Sequence, residues 1–334
     1  FNKNSSTPLW SYETGGDVDV VAISSDGEYI AVGSDDNKVY LFDKDSSTPL
    51  WNYQTGADLY SASISADGEY IVYGGADDKV YLFDKDSSTP IWSYDTGDSL
   101  SSVSISEDGE YIVAGSYNEK VYLFGKDSST PLWSYSTNGI VYTVALSADG
   151  EYIAAGSVND KVYLFDKDSN SPLWSYEAGH NIVSVAISAD GEYVVAGTWN
   201  SKVFLFDKDS STPLWSYETG DNIKSITISA DGKYLSVGSK DNKAYTFKNS
   251  LPSRPSLLPY SPVGGSITTT PVLAWFAGSD DHSNLTFDVY LDNNSNPTTL
   301  VADDISALSY TPSGLVKNTK YYWKVVATDP SGSK

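Results

Sequence analysis

Residues 61–94 alternate between apolar and polar positions in four short runs, and none of the runs has helical spacing. Ser61 to Ser65 alternates small polar with apolar residues, Glu69 to Gly74 follows an Asp67-Gly68 pair, Lys79 to Phe83 is β-branched and aromatic, and Ile91 to Tyr94 carries a tryptophan. Such runs, bounded by turn residues, predict four strands of an antiparallel meander. Asp-Gly between the first two favours a tight hairpin, because glycine tolerates the positive φ the turn demands.

The block repeats without interruption. Tryptophans at 10, 51, 92, 133, 174 and 215 stand 41 residues apart, and Asp-Gly pairs begin at 26, 67, 108, 149, 190 and 231. A unit of this length with four strands has the size of one propeller blade. The first run pairs Val21, Ala62, Val103, Val144, Val185 and Ile226 with small Ala, Ser and Thr neighbours, which suits a strand crowded against a central axis. The third run, Val39-Tyr40-Leu41-Phe42, is apolar on both faces, as expected of a sheet packed between two others. Phe1 to Trp10 aligns with Phe42 to Trp51, and the last copy stops at Phe247. The segment around Trp10 is therefore expected to supply the fourth strand of the last blade, closing six blades; another unit upstream of Phe1 would make seven.

Beyond residue 248 the pattern changes. Residues 249–262 carry Pro252, Pro255, Pro259 and Pro262 and read as a semi-rigid linker. Residues 263–334 read as a second all-β domain, with strands expected over Thr270–Phe276, Leu285–Leu291, Thr298–Val301, Leu308–Thr311 and Lys320–Thr328. The string from Leu315 to Asp329, including Lys320-Tyr321-Tyr322-Trp323-Lys324-Val325, together with Trp275 upstream, resembles a fibronectin type III domain. The resemblance implies a β-sandwich with a tyrosine corner. It also implies one more strand after Asp329-Pro330-Ser331-Gly332, either cut off in this chain or donated by another.

Charge narrows the partners. Forty-four Asp and Glu against 21 Lys and Arg give a formal net charge of -23, with Arg254 the single arginine. Such a chain repels nucleic acid and anionic lipid, both of which bind by exchanging counterions for Lys and Arg. Only a weak, diffuse attraction for Ca²⁺ or Mg²⁺ is expected, and no cofactor. There is no Cys and no Met, so thiol chemistry is excluded and the chain is read as a processed or excised piece of a longer product. No apolar run is long enough to span a bilayer as a helix.

Catalytic signals are weak. His180 and His282, the two histidines, fall in different domains, and no nucleophile triad, P-loop or dinucleotide fingerprint occurs. Asp43-Lys44-Asp45 recurs in nearly every copy, which fits turn chemistry better than the unlike pair of carboxyls needed for acid-base work. The Ser-Ser-Thr-Pro tract after it reads as an exposed turn that could accept O-glycans. Sequons at Asn4, Asn284 and Asn293 would permit N-glycosylation in an extracellular setting.

The repeat itself has relatives. Ser184-Val185-Ala186-Ile187-Ser188-Ala189-Asp190-Gly191 is similar to WD40 and YVTN-type blades, while Phe42-Asp43-Lys44-Asp45-Ser46-Ser47-Thr48-Pro49-Leu50-Trp51 resembles the quinoprotein (PQQ-like) repeat. With a fibronectin-like domain behind it, the chain resembles archaeal surface-layer and other cell-surface proteins. The resemblance implies an extracellular, non-catalytic structural or adhesion role through protein or glycan contacts, with self-assembly among them. Quinoprotein dehydrogenases would need a central Ca²⁺ and quinone site, and no copy here contributes a distinctive Glu-Asn-Asp set.

Function is best sought where the copies differ. One column reads Asp19, Tyr60, Ser101, Tyr142, Val183, Lys224, and another reads Asp35, Ala76, Tyr117, Val158, Trp199, Lys240. Both are expected at one mouth of the central channel. Their mixture of aromatic, apolar and charged residues suits a partner-binding face, with Tyr60, Tyr117, Tyr142 and Trp199 as anchors. This ligand-binding reading stands beside the structural one.

Overall fold

The structure is a computed structural model that describes residues 6–249, 259–261, 273–275, 286–293, 297–307, 309–316, 319 and 321–328. The chain divides into two compact units, Phe1–Lys248 and Asn249–Lys334.

The first unit is built from consecutive antiparallel meanders. Sheet 1 contains β1 (Val18–Ile23), β2 (Tyr29–Ser34), β3 (Lys38–Asp43) and β4 (Trp51–Gln54). Sheet 2 contains β5 (Leu59–Ile64), β6 (Tyr70–Gly75), β7 (Lys79–Asp84) and β8 (Trp92–Asp95). Sheet 3 runs through β9 (Leu100–Ile105), β10 (Tyr111–Ser116), β11 (Lys120–Gly125) and β12 (Trp133–Ser136). Sheet 4 has β13 (Val141–Leu146), β14 (Tyr152–Ser157), β15 (Lys161–Asp166) and β16 (Trp174–Glu177). Sheet 5 has β17 (Ile182–Ile187), β18 (Tyr193–Thr198), β19 (Lys202–Asp207) and β20 (Trp215–Glu218). Sheet 6 has three strands, β21 (Ile223–Ile228), β22 (Tyr234–Ser239) and β23 (Lys243–Lys248).

The middle strands are buried on both faces, as the uninterrupted apolar run of β7 required: Val80, Tyr81, Leu82 and Phe83 are all buried. Each core lies between sheets. Val72, Val80 and Leu82 of sheet 2 pack with Val103, Ile105, Ala114 and Phe124 of sheet 3. Removing that apolar surface from water is the main stabilising term, and no sheet can supply it alone.

Four further contacts recur between neighbouring sheets. The outer-strand tryptophan crosses to the next sheet: Trp51 stacks on Phe83 at 5.2 Å and donates from Nε1 to the Lys85 carbonyl at 2.7 Å. The small inner-strand residues do more than relieve crowding. Ser61, Ser102, Thr143 and Ser184 place hydroxyls that accept the backbone N–H of Val103, Val144, Val185 and Ile226 in the next sheet. At the Asp-Gly turn the backbone N–H of Ala66, Glu107, Ala148 and Ala189 donates to the carbonyl of Glu107, Ala148, Ala189 and Ala230 respectively. Finally, tyrosines at the start of each second strand cover the turn glycine of the following sheet, as Tyr111 covers Gly150.

The Asp-Gly turns are longer than a two-residue hairpin. Five residues, Ser24 to Glu28, join β1 to β2. Gly27 adopts φ 74, and Asp26 Oδ1 accepts from both Ser24 Oγ and the Glu28 N–H. Asp43 accepts the Asp45 N–H at 2.8 Å, an Asx turn, while Lys44 bridges Glu28 and Asp45 on the surface. Such exposed ion pairs contribute about 0–1 kcal/mol each.

The expected closure by the Trp10 segment is not seen. Among the described residues no fourth strand pairs with β23, and residues 6–17 contain no strand. Trp10 instead lies on sheet 1, stacked on Phe42 at 5.3 Å and bonded to the Lys44 carbonyl at 2.7 Å. That is the place each tryptophan occupies on the sheet after its own, so the side chain docks like the others while its backbone does not complete sheet 6. Consecutive inner strands pack side by side from β1 to β21, but β21 does not pack on β1 in that way. Val21 and Ile23 are consequently 65% and 63% exposed, whereas the equivalent Val103 and Ile105 are buried.

The second unit has two three-stranded sheets. One orders β24 (Pro259–Ser261), β25 (Leu273–Trp275) and β28 (Ser309–Tyr310); the other orders β27 (Leu300–Ile305), β26 (Thr286–Asp292) and β29 (Tyr322–Thr328). β24 falls inside the stretch read from sequence as linker, and it pairs with β25. Leu273, Phe287, Val289 and Leu291 form the buried core, joined by Tyr310, Tyr321, Trp323 and Val325. Tyr321 OH accepts the Val316 N–H at 3.3 Å. Residues 329–334, where a further strand would begin, lie outside the described residues.

Candidate functional site

The first variable column coincides with a backbone irregularity that recurs in all six sheets. Val18 pairs with Ser34 and Val20 with Gly33, leaving Asp19 as the extra residue of a β-bulge. The same shift isolates Tyr60, Ser101, Tyr142, Val183 and Lys224. Two residues oppose one on the partner strand, so the extra one is released from the ladder and its side chain is re-aimed.

The neighbours of the bulge explain its position. The residue before it is driven into the core: Leu59, Leu100, Val141 and Ile182 are fully buried. That burial requires a glycine on the preceding sheet, since a Cβ on Gly74 would stand 2.9 Å from Leu100 Cβ. The residue after the bulge, such as Ser61, points to the next inner strand. Pinned on both sides, the intervening residue is the one free to vary.

The second column opens the turn between the second and third strands, and each residue is tied to the loop entering the first column. The backbone N–H of Asp35, Ala76, Tyr117, Val158, Trp199 and Lys240 donates to the carbonyl of Asp17, Asp58, Ser99, Ile140, Asn181 and Asn222. The turn ends on a residue with positive φ that is not glycine in any copy: Asn37, Asp78, Glu119, Asp160, Ser201 and Asn242.

Side chains of the two columns meet across sheets. Burial raises the Tyr117 phenol above its ordinary pKa, and the nearby phenols of Tyr142 and Tyr60 add to the effect. Tyr117 of sheet 3 thus stands near bulge residues of both neighbouring sheets. Asp35 is raised by its hydrogen bond to Asp19, then by burial and by the charges of Asp19, Asp58 and Asp17. Trp199 is held from sheet 6, where Asn222, with its amide oxygen turned to the indole, accepts from Trp199 Nε1. Tyr60, Tyr117, Tyr142 and Trp199 remain 37–46% exposed, a large aromatic area for side chains held in place. Lys224 and Lys240 are exposed on sheet 6, opposite in sign to Asp19 and Asp35 on sheet 1.

Other sequence candidates are not gathered here. His180 is exposed and its Nδ1 accepts the Asn181 N–H. Asn293 is exposed beside β26, while Asn4, Asn284 and His282 lie outside the described residues. In the second unit Asp288, Asp303 and Asp304 bring carboxylate oxygens within 4.8 Å of one another. That group was not legible in the sequence, because Asp288 lies on β26 while the other two lie on the paired strand β27. Among the described residues no helix is long and apolar enough to cross a membrane.

Repeated four-stranded antiparallel sheets, each packed on the next through a tryptophan of its outer strand, define a protein of the β-propeller class. A PQQ-like repeat family, described as outer membrane protein assembly factor BamB, matches residues 1–147 and 118–250, and the chain belongs to that family. No curated protein matches it.

Proposed function

We propose that this chain is a non-catalytic interaction module that holds a protein partner on the face formed by the two variable columns. The observation that carries the reading is the bulge: the residue the ladder releases changes its chemical class from sheet to sheet, while the residue before it stays apolar in every copy. Aromatic side chains immobilised there contribute contact area at low conformational cost. The family description, which speaks of outer membrane protein assembly, supports a role in contacting other polypeptides.

The chain is further read as working at the cell surface or outside the cell, in adhesion or as a subunit of an extracellular assembly, with the second unit as a fibronectin-like stalk. The low Lys and Arg content and the exposed Asn293 sequon support this setting. A glycan is the alternative ligand for the same aromatic face, and a quinone-dependent oxidoreductase the outside alternative, which a bound chromophore in the absorption spectrum would revive.

The test compares the parent with a Tyr60→Ala/Tyr117→Ala/Tyr142→Ala variant for retention of extracellular proteins and on a glycan array. Loss of one defined protein ligand with an unchanged melting temperature supports the proposal. Equal retention by both proteins rejects it, and loss confined to the array moves the ligand to glycans.

A further inference from the structure

Within the partner face, sheets 2 to 4 set three tyrosines around two short side chains. Tyr60 and Tyr142 are the bulge residues of sheets 2 and 4. Ser101, the bulge residue of sheet 3, stands between them, because the inner strands β5, β9 and β13 pack side by side. Its hydroxyl is turned back into the scaffold, donating to the Gly115 carbonyl at 3.1 Å and to the Val141 carbonyl of sheet 4. Tyr117 opens the β10–β11 turn and is fixed by its backbone N–H to the Ser99 carbonyl at 2.9 Å. Ala76, the corresponding residue of sheet 2, is short as well. The short residues leave a notch whose sides are the three phenols. Tyr142 and Tyr60 both act on the Tyr117 phenol, yet the three rings are 41%, 46% and 37% exposed in that order, so they remain open to a guest.

The charge around the notch has one sign. Asp98, exposed in the loop that enters sheet 3, acts on the Tyr117 phenol. Asp58 lies two residues before Tyr60 in the equivalent loop of sheet 2 and acts in turn on Asp35 of sheet 1. Neither variable column carries a Lys or Arg on sheets 1 to 4. The lysines that follow these turns begin the third strands, one step further from the inner strand, and Lys79 there stands opposite Asp95 of the fourth. A cation over a phenol face is held by the quadrupole of the ring, more tightly where water is partly excluded, and a nearby carboxylate adds to the attraction. Arginine suits such a site best, since its planar guanidinium stacks on rings and is more weakly hydrated than an ammonium.

We infer that the notch formed by Tyr60, Tyr117 and Tyr142 takes an arginine side chain of the protein partner, with the guanidinium against the phenol rings and its charge towards Asp98. The inference rests on the reading of this face as a partner surface and adds the chemistry of the partner to it. The net charge of -23 attracts any cation diffusely, so the rings rather than the charges are what the test must change.

The full chain is titrated at about 0.15 M salt with the peptide acetyl-Gly-Arg-Gly-Arg-Gly-amide and with its citrulline counterpart, which keeps the shape and loses the charge. Binding is read by ligand-observed NMR, and a thermal melt verifies that each variant is folded. The arginine peptide is expected to bind about tenfold more tightly than the citrulline peptide. Tyr117→Leu and, separately, Tyr60→Leu alter no charge and should each weaken it by about threefold or more, while restoring the ring with Tyr117→Phe should restore binding to within about twofold. Equal binding of the arginine peptide to the parent and to both folded leucine variants would reveal diffuse attraction alone and overturns the inference. Equal binding of the two peptides, or no binding of the arginine peptide, overturns it too. In each of those cases the triple alanine variant decides the wider reading: if it still loses one defined protein ligand, the partner face stands without an arginine notch, and if it retains proteins as the parent does, both fall.

Discussion

Tyr70 fills the space over Gly109: a Cβ built on Gly109 would stand 2.5 Å from Tyr70 Cδ2, and the glycine has φ +74. Gly27 has the same φ with nothing near it. The two positions therefore separate backbone strain from the contact between sheets. Gly27→Ala is expected to cost about 1–2 kcal/mol, the penalty of a left-handed alanine. Gly109→Ala should cost about 1–3 kcal/mol more, because Tyr70 must move. Urea unfolding of both variants decides the matter, and equal losses would show that the tyrosine cover contributes nothing.

Trp133 joins sheets 3 and 4 by packing its ring, tilted, on Phe165 at 5.4 Å and donating to the Lys167 carbonyl at 2.7 Å. Trp133→Ala is expected to destabilise by about 3 kcal/mol, at the lower end for a large aromatic because the ring is only part-buried. Trp133→Phe keeps most of the apolar contact and should lose about 1 kcal/mol with the hydrogen bond. Chemical denaturation should rank the two in that order.

Glu119 holds a positive φ of 69 at the end of the β10–β11 turn. Its side chain is exposed, and its carbonyl accepts from Thr137 Oγ1, a bond any residue can keep. Glu119→Gly removes the left-handed penalty of about 1–2 kcal/mol but raises unfolded-state entropy by about 0.5–1 kcal/mol. A net rise in melting temperature is expected, and a fall would mean that the Glu side chain supports the turn.

Tyr245 OH donates to Asp241, which also accepts the Gly220 and Lys243 N–H groups. Its pKa is lowered from 3.8 to about 2, mainly by the Tyr245 bond. A depressed carboxylate stabilises the fold fully above its unfolded value of 3.8, and that contribution fades as pH falls towards about 2. Tyr245→Phe should therefore lower stability at neutral pH and flatten the acid limb of the stability curve. Melting curves from neutral pH down into this window would show it, and parallel curves for both proteins would refute the assignment.

Asp35 has the opposite sign. Its bond to Asp19 and the surrounding carboxylates raise its pKa, so its contribution is present at low pH and lost as pH rises through the folded value. Asp35→Asn should stabilise the chain at neutral pH, with the gain shrinking as added salt screens the cluster. No gain at low ionic strength would count against the crowding.

The period, the four strands and the burial of the third run could be read from residues such as Trp51, Asp67-Gly68 and Val80 to Phe83, because each acts through local pattern. The two variable columns were legible as variation. Their physical cause was not, since a bulge at Tyr60 depends on Leu59 being drawn against Gly33 of another sheet. The Ser61 and Ser184 hydroxyls looked like small fillers, and only the neighbouring strand reveals their partners. Closure failed as an expectation because the alignment of Phe1 with Phe42 fixes where Trp10 docks but does not bring β21 to β1. The signal that could have warned of this, polar Ser236 and Thr246 in otherwise apolar columns and a small Ala244 in a column of valines, lay in plain view.

The bulge also bears on how such a chain can change over time. A substitution at Tyr60 or Tyr142 alters neither pairing register nor core volume, because neither side chain belongs to the ladder or to a buried cluster. Such released positions can thus be exchanged with little penalty on folding, in the way antibody loops diversify on a constant frame, whereas Ser101, whose hydroxyl donates to the Gly115 and Val141 carbonyls, and Val183, which packs against a buried cluster, are tied to the scaffold. Duplication of one unit supplies the frame, and single-codon drift at the released residue supplies new specificity. Randomising those positions alone would generate a library of folded variants with altered recognition.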